Sequence, residues 1–340
     1  MAYLEEDIER CFEGGWSDGL PVIPPYARLV DPMVERMGWK PTDVAGELAD
    51  LGVEVRAEQL AAAAVMAGCK LAYAPVLRAV SEALLDPRFN LPGVEVTTGG
   101  AATLVIVSGP VARRLGFEHG ANALGANARA NATVGRFAAM VRYFCGCMGG
   151  ALEAHGTVGH PGRLSFCIAE HPTTVWPAFH TQLGVPAEAS AVTVMATEGP
   201  SSVNNHYGMT GAAILETIAD CIGQLGSTNY YWRGGGYLVV LPPQHMALVS
   251  REYTREAARR FLYERAVRPT DDLVRLGRLP VEPMASAQVV PGTLRSPVAD
   301  EADLTFIESG KDGGKFSAVI PGWVANRPTV RQVRDLEESP

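Results

Sequence analysis

Short apolar runs spaced along the chain constrain its fold more than any other feature of the sequence. Residues 101–107 and 237–241 consist almost wholly of aliphatic and other apolar side chains, and each run is closed by a proline-containing turn. Runs of this length, bounded by glycine or proline, are typical of buried strands. The segments between them have helical periodicity instead, as at 210–225, where isoleucines recur every fourth residue. This alternation predicts an α/β fold with a mixed sheet and flanking helices.

The same patterns predict the remaining elements and a division of the chain. We expect further strands at 164–169, 192–196 and 317–320, and helices at 3–13, 58–74, 76–85, 131–144 and 254–266. The strands at 101–107 and 237–241 each follow a helix rich in small residues, and this faint repeat is compatible with two similar lobes, 51–185 and 186–340. Residues 1–50 are expected to form a helix and a proline-rich arm that pack on the 51–340 body.

Composition excludes several classes of protein. The chain has 340 residues, of which 47% are hydrophobic and 19% charged, so it is globular rather than disordered. Its net charge of -8 disfavours nucleic acid or an anionic membrane as a partner. The apolar runs are too short to span a bilayer, the N-terminus lacks a signal-peptide pattern, and the six cysteines show no framework spacing. We therefore expect a cytoplasmic protein that acts on a small molecule.

The segment 155–171 holds the densest set of side chains suited to chemistry: His155, His160, Cys167, Glu170 and His171. Its first half is spaced by glycines and predicts a loop, whereas its second half predicts a strand. Glu170 and His171 directly follow that strand, and ligands of α/β proteins gather where strands end. We expect His155, His160 and Glu170 to transfer protons and Cys167 to act as a nucleophile or ligand.

A divalent metal is an alternative occupant of this segment, with His155, His160, Cys167 and His171 as its ligands. No recognised spacing such as His-Glu-x-x-His supports it. A cysteine in a buried strand is also more often inert than reactive. No dinucleotide fingerprint is present, and the loop at 310–315 departs from a phosphate-binding Walker A loop, so the sequence indicates no nucleotide cofactor.

Four other segments carry polar and basic side chains typical of anion binding. Two of them precede predicted helices, whose free N–H groups favour anions; one is a glycine-lysine loop; and one is an aromatic stretch expected to form a mobile loop over the substrate or a contact between subunits. The candidate substrate-binding residues are Asn127, Arg129, Asn131, Asn204, Asn205, His206, Arg233, Lys315 and Ser317.

Five segments resemble a widespread, largely uncharacterised bacterial family: WSDGLPVIPP at 16–25, AAVMAGCK at 63–70, NARANATVGR at 127–136, GHPGRLSFCIAE at 159–170 and GGKFSAVIP at 313–321. The resemblance runs over most of the chain. Because members occur alongside, or fused to, UGSC-type thiol/selenol proteins, it implies a metabolic enzyme with a link to thiol chemistry. This chain has no Cys-Gly-Ser-Cys segment, and its Cys145 and Cys147 follow a helix C-terminus, where a thiolate is disfavoured.

These features together predict a cytoplasmic, homo-oligomeric enzyme that acts on a small anionic or acyl substrate. The chemistry expected of the segment 155–171 is that of a lyase, hydratase or hydrolase. Two alternatives stay open. One is a thiol-dependent oxidoreductase that works with a partner thiol protein, and the other is a non-catalytic binding or scaffold subunit.

Overall fold

Helices and mixed β-sheets alternate along the chain, and the fold is α/β as the apolar runs predict. The computed structural model describes residues 2–125, 128–143, 155–280 and 289–334. The helices are α1 (Ala2–Glu13), α2 (Ala27–Arg36), α3 (Ala57–Met66), α4 (Ala74–Leu84), α5 (Leu91–Val96), α6 (Pro110–Arg114), α7 (Arg129–Arg142), α8 (Gly211–Ile222), α9 (Asn229–Trp232), α10 (Pro243–Glu252), α11 (Arg255–Arg265) and α12 (Thr270–Arg275). The strands are β1 (Val44–Leu48), β2 (Val53–Arg56), β3 (Ala102–Ser108), β4 (Cys167–Ala169), β5 (Ala191–Thr197), β6 (Ser201–Asn204), β7 (Tyr237–Leu241), β8 (Arg268–Pro269), β9 (Leu294–Arg295), β10 (Leu304–Glu308), β11 (Phe316–Pro321) and β12 (Thr329–Gln332).

Two four-stranded sheets share one strand pattern. Their orders are β4-β3-β5-β12 and β10-β7-β11-β6. In each sheet the first pair is parallel and the other two pairs are antiparallel. Strands β3 and β7 therefore occupy equivalent places, which gives the faint sequence repeat a structural counterpart. The first sheet also contains β5 and β12, although both strands fall within residues 186–340.

The two sheets pack face to face between two layers of helices. Alternate side chains of a strand point to opposite faces. Leu104 of β3 shares an inner core with Leu238 of β7, whereas Val105 packs outward with α3, α4 and α7. Val239 packs outward in the same way, with α8, α10 and α11. The order of layers is helix, sheet, sheet, helix, and both parallel strand pairs are buried on both faces.

The two sheets are joined where their parallel pairs end. The backbone N–H of His171 donates to the carbonyl of Glu308 over 2.8 Å, and the Ser309 hydroxyl donates to the carbonyl of Ala169 over 2.8 Å. The carboxyl ends of β3 and β4 consequently adjoin those of β7 and β10. Loops from both halves of the chain meet there, and this junction positions the candidate site.

Several predicted boundaries differ from those in the structure. The helix expected at 58–74 ends at Met66, because Gly68 adopts a left-handed φ of 86°. The helix expected at 131–144 spans Arg129–Arg142, so Asn131 lies inside α7. Thr210 does cap α8, since its hydroxyl accepts the Ala213 N–H. None of the helices in the described ranges is long and apolar enough to cross a bilayer.

The proline-rich arm is fixed to the body by a salt bridge. Both carboxylate oxygens of Asp18 accept hydrogen bonds from Arg136 on α7, at 2.7 and 2.8 Å. The same guanidinium donates to the carbonyl of Pro21, and Val22 is buried in the core. The side chain of Asp18 is only 2% exposed. The arm is thus held by a bidentate, nearly buried ion pair.

Candidate functional site

A cavity of about 260 Å³ opens at the carboxyl ends of β3 and β4. Gly109 and Pro110 follow β3 into it, and Glu170 and His171 follow β4. In open α/β sheets, the ends of neighbouring parallel strands are where ligands bind. The side chains suited to chemistry in the lining are Arg113, His119, Glu170 and His171. We refer to this space as the first cavity.

Glu170 is the most perturbed acid of the first cavity. Its backbone N–H extends the strand pairing by donating to Val107, and its Oε1 accepts the N–H of Phe179 over 2.6 Å. The residue is only 6% exposed, and this burial, with a smaller contribution from the nearby Glu308 carboxylate, raises its pKa to about 7. Near neutral pH both the ionised and the protonated form of this carboxyl are therefore populated, which suits a residue that takes and returns a proton.

Two histidine rings meet edge to face beside this acid. The ring centroids of His119 and His171 lie 4.8 Å apart at 81°. The Nδ1 of His171 lies 3.1 Å from the Thr173 hydroxyl and 3.4 Å from the backbone nitrogen of the same residue. The Nδ1 of His119 is buried without a hydrogen-bond partner. Burial, reinforced by repulsion from His171, lowers the pKa of His119, so this ring stays neutral at pH 7.

The backbone around His119 is held from both halves of the chain. Its carbonyl accepts the N–H of Gly310 over 2.8 Å and the hydroxyl of Ser309 over 3.1 Å. The preceding residue, Glu118, is held by the side-chain amide of Asn131, which accepts the backbone N–H of Glu118 and donates to the carbonyl of Glu118. Asn131 is 1% exposed. It therefore positions the His119 segment, and the prediction that it binds substrate is wrong.

The structure does not bring His160 to Glu170. The Nδ1 of His160 accepts the N–H of Gly162, and its Nε2 lies 3.3 Å from the carbonyl of Thr197. Thr197 ends β5, which runs antiparallel to β3, so His160 lies at the opposite end of the sheet from the first cavity. Because backbone groups occupy both of its ring nitrogens, His160 has a structural role here. His155 is exposed in the same loop.

A second acid accompanies His160 in a shallow, glycine-rich cavity of about 290 Å³. Glu198 lines this cavity and accepts a hydrogen bond from the Thr228 hydroxyl over 2.8 Å. Burial raises the pKa of Glu198. Glu198 and His160 thus line the same cavity, and the sequence pattern did not indicate this, since the two residues lie 38 positions apart.

Cys167 is buried in the core and does not contribute to either cavity. Its side chain is 1% exposed among the apolar residues packed beneath the helix layer. Burial raises the pKa of its thiol far above neutrality, which excludes a ready thiolate. The predicted metal ligands also fail to converge. In the ranges that the structure describes, no three His, Cys, Asp or Glu side chains are grouped to hold a metal ion.

The two predicted anion-binding segments of the second sheet meet, but they bind each other. Strands β6 and β11 pair so that Phe316 faces Asn204, and the Lys315 ammonium donates to the carbonyl of His206 over 2.8 Å. The side-chain oxygen of Asn204 is hydrogen-bonded to the His206 ring over 2.6 Å. Groups that were expected to bind a substrate are thus engaged in contacts between the two segments.

Asn205 and Ser317 are satisfied in the same manner. The amide of Asn205 donates to the Thr217 hydroxyl over 2.8 Å and accepts the N–H of Gly208. Ser317 is buried, and its hydroxyl lies 2.8 Å from Nδ1 of His245. Both residues thus stabilise the junction of α8, β6 and β11 rather than present free donors.

Two predicted arginines are bound to backbone carbonyls of their own chain. Arg129 donates twice to Gly68, which ties α7 to the end of α3. Arg233 donates to Val298 over 3.1 Å, at the end of α9, whose Tyr230 is fully buried. The aromatic stretch at 230–236, expected to form a loop, thus begins within the short helix α9. Asn127, Cys145 and Cys147 lie outside the described residues.

Sequence reasoning missed His119 and Arg113. Both follow β3, the strand parallel to β4, so the rule that identified Glu170 at the end of β4 also applies to residues 109–119. That segment contains only one histidine and no glycine-rich run, and it stood out less than 155–171. The parallel pairing of β3 with β4 is what brings the two segments together, and no local pattern indicates it.

Comparison with known proteins leaves the geometry as the basis for any assignment of function. No protein-family model and no curated protein matches the chain.

Proposed function

We propose that the chain is an enzyme that catalyses proton transfer on a small carboxylate or acyl substrate bound in the first cavity. The observation that carries this proposal is Glu170, a nearly buried carboxyl whose pKa is raised to about 7 beside two histidines. A strongly perturbed titratable group in a cleft is typical of catalytic sites. The reaction class is that of a lyase, hydratase or hydrolase, in which a base and an acid act on neighbouring atoms.

The roles follow from the surroundings of each group. Ionised Glu170 removes a proton from carbon or from an attacking water. His171 is the acid, which delivers a proton from its ring to the oxygen that leaves or is attacked. Neutral His119 donates or accepts a hydrogen bond at the edge of the His171 ring. Arg113 is exposed at the mouth and supplies the positive charge that an anionic substrate group requires.

The size of the first cavity restricts the substrate. Drug-sized ligands occupy pockets of roughly 300–1,000 Å³, and the first cavity, at about 260 Å³, lies below that range. It suits a compact molecule. A short-chain hydroxy acid, or an unsaturated acid of similar size, combines this size with the negative charge that Arg113 favours and a proton that Glu170 can remove.

Thiol chemistry receives no support from the described cysteines. Burial raises the pKa of the Cys69 thiol to about 12 and that of Cys167 further still. Cys11 is buried as well, and Cys221 is partly buried, and burial raises the pKa of both. None of the four has the electropositive, accessible surroundings of a reactive cysteine.

Deuterium exchange tests the proposal with a set of candidate acids. The protein is incubated in D₂O with a panel of short hydroxy and unsaturated carboxylates, and loss of C–H signals is followed by proton NMR. We expect exchange into at least one acid. Its rate should rise as the pH passes through about 7, because Glu170 must ionise to act as the base.

Variants separate the first cavity from the other acid-histidine pair. Replacing Glu170 with Gln should lower the exchange rate by about a hundredfold or more, since general base catalysis is worth roughly 10²–10⁴. The matched control is Glu198→Gln, which changes a partly buried acid in the cavity that His160 lines and should leave the rate unchanged. Equal rates in wild type and Glu170→Gln, or a loss confined to Glu198→Gln, would contradict the proposal.

A further inference from the structure

A second cavity lies at the place in the second sheet that corresponds to the first cavity. Its volume is about 420 Å³. Pro242 follows β7 into it, and residues 309–311 follow β10. Because β7 and β10 match β3 and β4 in order and direction, the two cavities occupy equivalent positions in the internal repeat.

The lining of the second cavity differs in chemistry from that of the first. Leu124, Val240, Phe316 and Ala318 give it apolar walls. Among the described residues that line it, Lys311 is the one that carries a charge, and this side chain is exposed at the rim. An apolar space with one cationic group at its rim can bind the apolar body of a ligand and orient its anionic end.

We propose that the second cavity is a separate binding site for a monocarboxylate with an apolar body, such as an aromatic acid, and that Lys311 pairs with the carboxylate. The apolar walls supply area that is removed from water on binding, and the ammonium supplies a charge-assisted hydrogen bond. The site stands independently of catalysis in the first cavity, since the two share no side chain in their linings.

The site nevertheless lies one residue from the catalytic groups. Gly120 lines the second cavity, while His119 lines the first, and the carbonyl of His119 accepts the N–H of Gly310 from the second lining. A ligand that displaces Gly310 would therefore act on the backbone that carries His119. The same contacts form the wall that keeps the two ligands apart.

Calorimetry with three probes tests the site. Benzoate carries both the apolar ring and the carboxylate, benzyl alcohol lacks the charge, and acetate lacks the ring. We expect benzoate to bind most tightly. Lys311→Met should weaken benzoate about tenfold, the size of one charged hydrogen bond, and leave benzyl alcohol unchanged. Ala318→Leu, which extends a side chain into the cavity, should weaken both ring-containing probes.

Two control variants locate the binding. Lys315→Met removes a neighbouring lysine whose ammonium is bound to His206, and it should leave the affinity for benzoate unchanged. Arg113→Met removes the cation of the first cavity and should also have no effect. No binding of benzoate by the wild type, or a loss of affinity in Arg113→Met but not in Lys311→Met, would overturn the proposal. Because Lys311 is exposed, we expect Lys311→Met to fold. The test therefore remains decisive even if Ala318→Leu does not fold.

Discussion

Replacing Glu170 with Gln should make the protein more stable at alkaline pH and leave its stability unchanged in acid. The ordinary glutamate pKa of 4.5 is raised to about 7 in the folded protein, chiefly by burial. Between these values the unfolded chain releases a proton that the folded protein keeps, so the free energy of unfolding falls as the pH rises. The loss is complete once the pH exceeds the folded pKa.

The magnitude follows from the size of the pKa shift. Each unit corresponds to about 1.4 kcal/mol, so ionised Glu170 costs the folded protein about 3 kcal/mol above pH 7. Glutamine cannot ionise and does not incur this cost. Its oxygen can still accept the N–H of Phe179, as Oε1 of the glutamate does. We therefore expect a gain of about 3 kcal/mol above pH 7 and almost none below the unfolded pKa.

Urea denaturation at about pH 4.5 and about pH 8.5 measures the gain in stability at each pH. The midpoint of the unfolding transition reports stability when the slope of free energy against urea concentration is unchanged. Glu264→Gln, at an exposed position on α11, is the matched control and should change stability by less than about 0.5 kcal/mol at either pH. If Glu170→Gln were no more stable than wild type at the higher pH, or gained equally at both, the carboxyl would not be desolvated as the structure indicates.

Three further changes test the packing around the site. Asn131→Leu removes both hydrogen bonds to Glu118 and should destabilise the fold by about 2–3 kcal/mol. Slower deuterium exchange in this variant, with an unchanged pH dependence, would show that Asn131 positions His119. Arg136→Met leaves the Asp18 carboxylate buried and unpaired, and it should cost about 3–5 kcal/mol in thermal or chemical unfolding, part of which a second change of Asp18 to Asn recovers. Cys167→Ala should cost about 1 kcal/mol and leave exchange activity intact, and a loss of activity in a folded variant would restore a chemical role to this thiol.

The predicted elements agree with the structure where the local pattern is sufficient. The strands at 101–107 and 237–241 match β3 and β7 within a residue, because short, almost wholly apolar runs closed by proline are typical of buried strands. Thr254 caps α11 as Thr210 caps α8. Strand β12 was not predicted. Its four residues include Arg331 and Gln332, and it is a strand because it pairs with β5.

The predictions for the candidate site likewise agree with the structure only where a local pattern is sufficient. Glu170 and His171 were identified correctly as strand-end groups, and the structure places both in the first cavity. His160 was grouped with them because it is near in sequence. In the fold, β4 lies between His160 and Glu170, and the two residues therefore lie at opposite ends of the sheet. Proximity in sequence therefore overstates proximity in space whenever a strand intervenes.

Local sequence is sufficient to predict strands such as β3 and β7 and helices such as α8 and α11, since hydrophobic period and capping residues act over a few neighbouring positions. Which polar groups are free depends on the tertiary structure. Both nitrogens of His160 face backbone groups, one of them on β5, whereas Glu170 is buried by elements from both sheets, and its pKa rises for that reason. Desolvation depends on everything packed around a group, and no local pattern encodes it.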